Sequence, residues 1–225
     1  MYIGIKAHMS EKNIDLNKHY WDNFYKNNFK NTPSQFCVCM LTEIDRSATI
    51  VELGSGNGRD ALYFASQGHI TVAMDLSEEA ITACKREASE REVEHTSFFQ
   101  GDLTQHKDVD ALIQHARNIS QGKPLVFYSR FVMHSLDDTQ EKNLLNILSS
   151  CIKPGETVYF EFRSQEDENL DKLFGNHFRR YVDTEEFYLR LKQGGFEIQY
   201  NLIGQGMAKY KEEDPFVARV IAVKS

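Results

Sequence analysis

The sequence predicts an α/β fold: a three-layer sandwich built on a seven-stranded mixed sheet with a C-terminal antiparallel hairpin. Two patterns carry that expectation. From Thr49 onward, short apolar runs alternate with amphipathic stretches, as in a sheet covered by helices on both faces. In the last third, two long strand candidates follow one another without a helix between them, and such strands pair antiparallel. The 225 residues, 41% of them hydrophobic, suffice for one domain with a real core. Residues 45–225 are assigned to that domain and 1–44 to a helical extension or lid.

The first three strand candidates are Thr49–Leu53, Ile70–Met74 and Thr96–Phe99, followed by Leu125–Tyr128 and Thr157–Phe162. Each is short and rich in β-branched or aromatic residues, as strands prefer. Helices are expected between them at Asp60–Gln67, Glu78–Glu90, Asp108–Arg117 and Thr139–Cys151. Stop signals stand in place: Gly68 after the first and Pro154-Gly155 after the last. Ser77 precedes Glu78-Glu79, an N-cap followed by acidic residues that interact favourably with the helix dipole. Thr184–Gln193 reads as a final helix stopped by Gly194-Gly195, ahead of the hairpin strands Phe196–Ile203 and Phe216–Val223. Near the N-terminus, Tyr20 to Tyr25 carries four aromatic residues on an expected helix, whereas Met1 to Met9 has no periodicity.

A formal net charge of −7 without a Lys/Arg run opposes binding to large nucleic acids. No stretch approaches the ~20 apolar residues of a membrane-spanning helix, and a signal core is not evident, so a cytoplasmic protein without membrane association is expected. The four cysteines lack the CxxC spacing of zinc sites and read as reduced thiols; no metal site is expected.

The chemistry-bearing stretch is Val51-Glu52-Leu53-Gly54-Ser55-Gly56-Asn57-Gly58, a strand running into a glycine loop and then a helix. Glycines let the backbone approach a ligand, and the helix start offers N–H groups. A dinucleotide fingerprint, GxGxxG, would need its third glycine at position 59, where this chain has Arg59. The stretch instead resembles motif I of the class I, Rossmann-like S-adenosylmethionine-dependent methyltransferases, with Glu52 at the acidic position before the glycines. That resemblance implies S-adenosyl-L-methionine as cofactor, its methionine part held by Glu52, Gly54, Ser55, Gly56 and Gly58 with Arg59 beside them. Asp75, about 20 residues past the loop, suits the ribose hydroxyls, with Leu76 next to it. Asp102 and Leu103 resemble the segment beside the adenine, and Ser129 follows the fourth strand at the same edge. Trp21 and Tyr25 are candidates for a lid whose rings attract the sulfonium.

The acceptor must lie beyond the fourth and fifth strands. His134 is the candidate general base there, with Arg130 as a catalytic neighbour. Arg130, Arg163, Arg179 and Arg180 are candidates for an anion clamp, completed by Tyr181 and Tyr210. The expected reaction is O-methylation of a small anionic or sugar-like acceptor. S- or N-methylation, a catalytically silent partner subunit and a nicotinamide-dependent reductase stay open as alternatives, as does the oligomeric state.

Overall fold

The computed structural model describes residues 19–26, 32–170, 172 and 178–225; the stretch Met1 to Met9 lies outside them. Seven strands form one sheet in the order β3-β2-β1-β4-β5-β7-β6: β1 (Thr49–Leu53), β2 (Thr71–Asp75), β3 (Thr96–Gln100), β4 (Leu125–Arg130), β5 (Thr157–Arg163), β6 (Phe196–Gly204) and β7 (Val217–Lys224). The first five are mutually parallel, and β7 enters antiparallel between β5 and β6. The helices are α1 (residues 19–26), α2 (Gln35–Leu41), α3 (Arg59–Ser66), α4 (Glu78–Glu90), α5 (His106–Ile119), α6 (Asp138–Cys151) and α7 (Thr184–Gln193). This is the expected α/β class.

The central strands are buried along nearly their whole length and mainly apolar because helices cover both faces. Val51, Leu53, Phe127, Phe160 and Val220 point into one core with Leu112, Leu144 and Phe187. Their alternates Ile50, Val126, Tyr128, Tyr159 and Ile221 point into the other with Phe36, Met40 and Phe64. Several ends shift by one or two residues. β2 runs to Asp75, β4 continues through Ser129 and Arg130, and α5 starts at His106. α6 starts at Asp138 because Asp137 caps it in a reciprocal box with Gln140.

The division after residue 44 does not coincide with a gap in the packing. Phe36 and Cys37 of α2 are fully buried against β1, α3 and β4, so the second half of the extension belongs to the main core. β1, β2 and β4 end on the same edge of the sheet, where the order reverses between β1 and β4. That switch point is where open α/β sheets form their ligand crevice.

Candidate functional site

A cavity of about 740 Å³ opens at this edge. Its size lies in the upper part of the range for ligand pockets, enough for a nucleoside-sized cofactor with a small acceptor beside it. The glycine loop forms its floor. Gly56 has φ +53° and its N–H donates to Asp75 Oδ2 at 2.7 Å, while Ser77 N–H donates to Asp75 Oδ1 at 2.9 Å. Asp75 therefore ties the end of β2 to the loop after β1. Burial raises its pKa, against the opposing effect of those N–H donors.

Glu52, on β1 beneath the loop, is buried, and its Oε2 has no hydrogen-bond partner. Burial first, then the neighbouring Asp60 charge, pushes its pKa well above the usual carboxylate range. An orphaned buried acceptor of this kind fits a cationic donor such as an α-ammonium group. Such a cation selects the carboxylate, so binding releases a proton and affinity rises with pH up to the raised Glu52 pKa. The ligand-free protein behaves oppositely. Its folded form holds the proton more tightly than the unfolded chain, so Glu52 lowers stability as pH climbs above the ordinary carboxylate range. Glu52→Gln is expected to weaken S-adenosylmethionine binding by about 1.5–3 kcal/mol and to flatten its pH dependence; calorimetry at several pH values checks both.

α1 lies over the loop. Tyr25 Oη comes within 2.5 Å of where a Cβ on Gly56 would stand, and Ser77 Oγ donates to Asp22 Oδ1 at 2.5 Å. Trp21 stacks on Tyr25 with ring centroids 5.8 Å apart, and Tyr20, Trp21, Phe24 and Tyr25 all face the cavity. Of the remaining cofactor candidates, Gly54, Ser55, Arg59, Leu76, Asp102 and Leu103 lie on the wall. Two do not. Gly58 caps α3 with φ +75° and packs toward Cys84, where a Cβ would meet Sγ at 2.7 Å. Ser129 is buried, its hydroxyl donating to Leu53 O at 3.1 Å, so it joins β4 to β1 below the cavity.

The acceptor side departs further from expectation. His134 lines the cavity in a single 3-10 turn, Met133–Ser135, but its Nδ1 accepts the Arg163 N–H at 3.2 Å. An Nδ1 that accepts puts the ring proton of neutral imidazole on Nε2. Nε2 is then a donor, which argues against His134 as a general base. The arginines are largely spoken for. Arg163 donates to Asp167 Oδ2 at 2.6 Å and to Glu213 Oε1, and all three side chains are buried. Arg130 and Arg219 share the carboxylate of buried Glu161, each through Nε at 2.7 Å.

Arg180 lies off the cavity wall. It donates to Leu136 O at 3.0 Å and to Glu141, clamping its own segment to α6. Tyr181 also lies off the wall and packs near Lys172. Arg179 and Tyr210 do line the cavity, as does the exposed Lys209.

Several wall residues carried no signal in the sequence. Asp60 accepts from Ser34 N–H and Oγ, both at 2.7 Å, and from Tyr128 Oη at 2.9 Å, fixing the segment before α2 to α3 and β4. Glu213 comes from the β6–β7 connection. Phe131 follows β4 with φ +61°, held by its N–H on Glu161 O at 2.7 Å. Only the positive φ of a bulky residue marks Phe131 as unusual, and no pattern in the sequence announces it. Among the described residues no group of three or more His, Cys, Asp or Glu side chains could hold a metal ion, and no helix is long and apolar enough to cross a membrane.

Residues 50–155 match the family described as "Methyltransferase domain". A SAM-dependent methyltransferase from Anabaena variabilis ATCC 29413 superposes with a TM-score of 0.72 at 16% identity, covering 94% of this chain and 95% of that one. The glycopeptide N-methyltransferase MtfA, solved with S-adenosyl-L-methionine, superposes with a TM-score of 0.64 at 16% identity over 88% and 96% of the two chains. A curated protein of Protochlamydia amoebophila (strain UWE25), described as an uncharacterized RNA methyltransferase, is 29% identical over 97 residues. That alignment spans 40% of this chain but only 22% of the relative. Residues 50–155, a little under half of the chain, thus carry the methyltransferase-domain match, and the chain as a whole has the class I, Rossmann-like fold of these structures.

Proposed function

We propose that the chain transfers the methyl group of S-adenosylmethionine to oxygen on a small anionic acceptor held at the Arg179 end of the cavity. The observation that carries this reading is the shape of the site: one cavity with the glycine loop as floor, aromatic α1 as roof and the β6–β7 connection as far wall. Bound there, the cofactor supplies an electrophilic methyl group on a sulfonium centre. Glu52 receives the ammonium end, Asp75 the ribose, and Asp102 with Leu103 the adenine. Trp21 and Tyr25 cover them and exclude water.

The anion reading rests on Arg179 and Lys209, two cationic side chains that line the cavity. Burial raises the pKa of the Tyr20 phenol, and the Arg179 charge opposes that rise, which puts the two side chains within electrostatic reach on the cavity wall. An RNA acceptor, which the Protochlamydia relative's description suggests, is opposed by the −7 net charge.

The test is incubation with methyl-labelled cofactor and a small-molecule extract, followed by mass identification of the labelled product. A label found only on RNA or protein would overturn the reading. His134→Gln is expected to keep kcat within about tenfold, whereas loss of a general base costs ~10²–10⁴-fold.

A further inference from the structure

Resting on that reading, we infer that the acceptor is an aromatic ring bearing one carboxylate and an ionisable hydroxyl, and that Phe131 is the specificity-determining plate against which the ring lies. The first observation is the state of Phe131. A phenylalanine at φ +61° is a backbone outlier, and such strain collects where the surrounding structure enforces a position for function. Its N–H is pinned to Glu161 O, and Arg130, itself fixed by Glu161, packs 4.0 Å from the ring centroid. Glu161 and Arg130 thus act as positioning residues for a rigid ring on the cavity wall. Tyr20, Phe24 and Tyr210 face the same cavity, which suits a flat apolar body. Arg179 and Lys209 suit a single anionic group.

The second observation is the state of the possible proton acceptors. His134 Nδ1 is occupied by the Arg163 N–H. Glu213 is held by Arg163, Asp60 by Ser34 and Tyr128, and Asp75 by Gly56 and Ser77. A site built this way favours an acceptor that ionises without help. A phenol, with a pKa near ~10 as in tyrosine, meets that condition; an alkyl hydroxyl, close to the ~15.7 of water, does not. On ionisation the phenol proton goes to solvent. The oxygen lone pair then forms the O–CH₃ bond as the S–CH₃ bond breaks, and its electron pair stays on sulfur.

The experiment uses the full chain saturated with S-adenosylhomocysteine and follows Trp21 fluorescence on addition of 2-, 3- or 4-hydroxybenzoate. The matched controls are trans-4-hydroxycyclohexanecarboxylate and phenol. The best hydroxybenzoate is expected to bind about tenfold more tightly than either control, the size of one aromatic contact. With S-adenosylmethionine the same probe should yield its methyl ether. Phe131→Gly, which suits the positive φ, should keep S-adenosylhomocysteine affinity and erase the preference for the aromatic acid over the cyclohexane acid. Equal binding of the two acids, or binding of none of the hydroxybenzoates by protein that holds S-adenosylhomocysteine, overturns the aromatic acceptor and leaves the cofactor site standing. Failure to bind S-adenosylhomocysteine removes the cofactor reading and this inference with it.

Discussion

Gly56→Val is expected to abolish cofactor binding, a loss of at least ~100-fold or about 2.7 kcal/mol. Two effects act together. The φ of +53° is one that a β-branched residue adopts only at a cost above ~1–2 kcal/mol. The new Cβ would also stand 2.5 Å from Tyr25 Oη and 2.8 Å from Cζ, so the Tyr25 ring must move off the loop. Displacing the loop in turn breaks the Gly56 N–H bond to Asp75, and with it the link that sets Asp75 beneath the cavity. Gly68→Ala is the control, because Gly68 has φ +96° but nothing within 4 Å of its added Cβ. It should lose stability through backbone strain and retain S-adenosylhomocysteine affinity. Calorimetry showing wild-type affinity in Gly56→Val would mean that the cofactor does not lie on this loop.

Arg163→Met is expected to lower stability by about 3–5 kcal/mol, the cost of leaving buried charges without their partner. In a domain of this size that corresponds to roughly 6–20 °C in Tm. Asp167 is fully buried and Glu213 nearly so, and both point their carboxylates at this guanidinium. Lys172 stays 3.2 Å from Asp167 and moves the expectation toward the smaller figure. Adding Asp167→Asn and Glu213→Gln to Arg163→Met should restore much of the loss, since the unpaired charges are then gone. An Arg163→Met protein as stable as the parent, but with weakened acceptor binding, would return Arg163 to the anion site.

The layered fold was legible because β1, β2, β4 and β5 are buried on both faces and so read as mainly apolar, β-branched or aromatic runs. The glycine-loop end of the cavity was equally legible, since Glu52 and Asp75 sit in the last residues of β1 and β2, and the glycines and Asp102 follow β1 and β3, whose ends share one edge. The acceptor end was not. Its charges are set by partners distant in sequence: Glu213 lies 50 residues from Arg163, and Glu161 lies 31 from Arg130. A cluster of arginines in sequence therefore suggested available charge where folding had neutralised most of it. The hydrogen bonding of His134 was hidden for a related reason, because the tautomer of an imidazole depends on a backbone N–H that no local pattern reveals. The boundary of α6 shows a milder version: Asp137 moved the helix start by capping it.

The position of β7 bears on how the chain is made. β7 is the last strand in the sequence yet separates β5 from β6, and it pairs with both along most of its length. During synthesis β5 emerges some sixty residues before β7, as their starts at Thr157 and Val217 show. Until then its outer edge presents a row of unsatisfied peptide groups beside apolar Val158, Phe160 and Phe162. Such an edge invites pairing with other chains. A nascent polypeptide stalled ahead of Val217 would carry this adhesive edge exposed, making the interval before β7 appears the one in which a chaperone has most to protect.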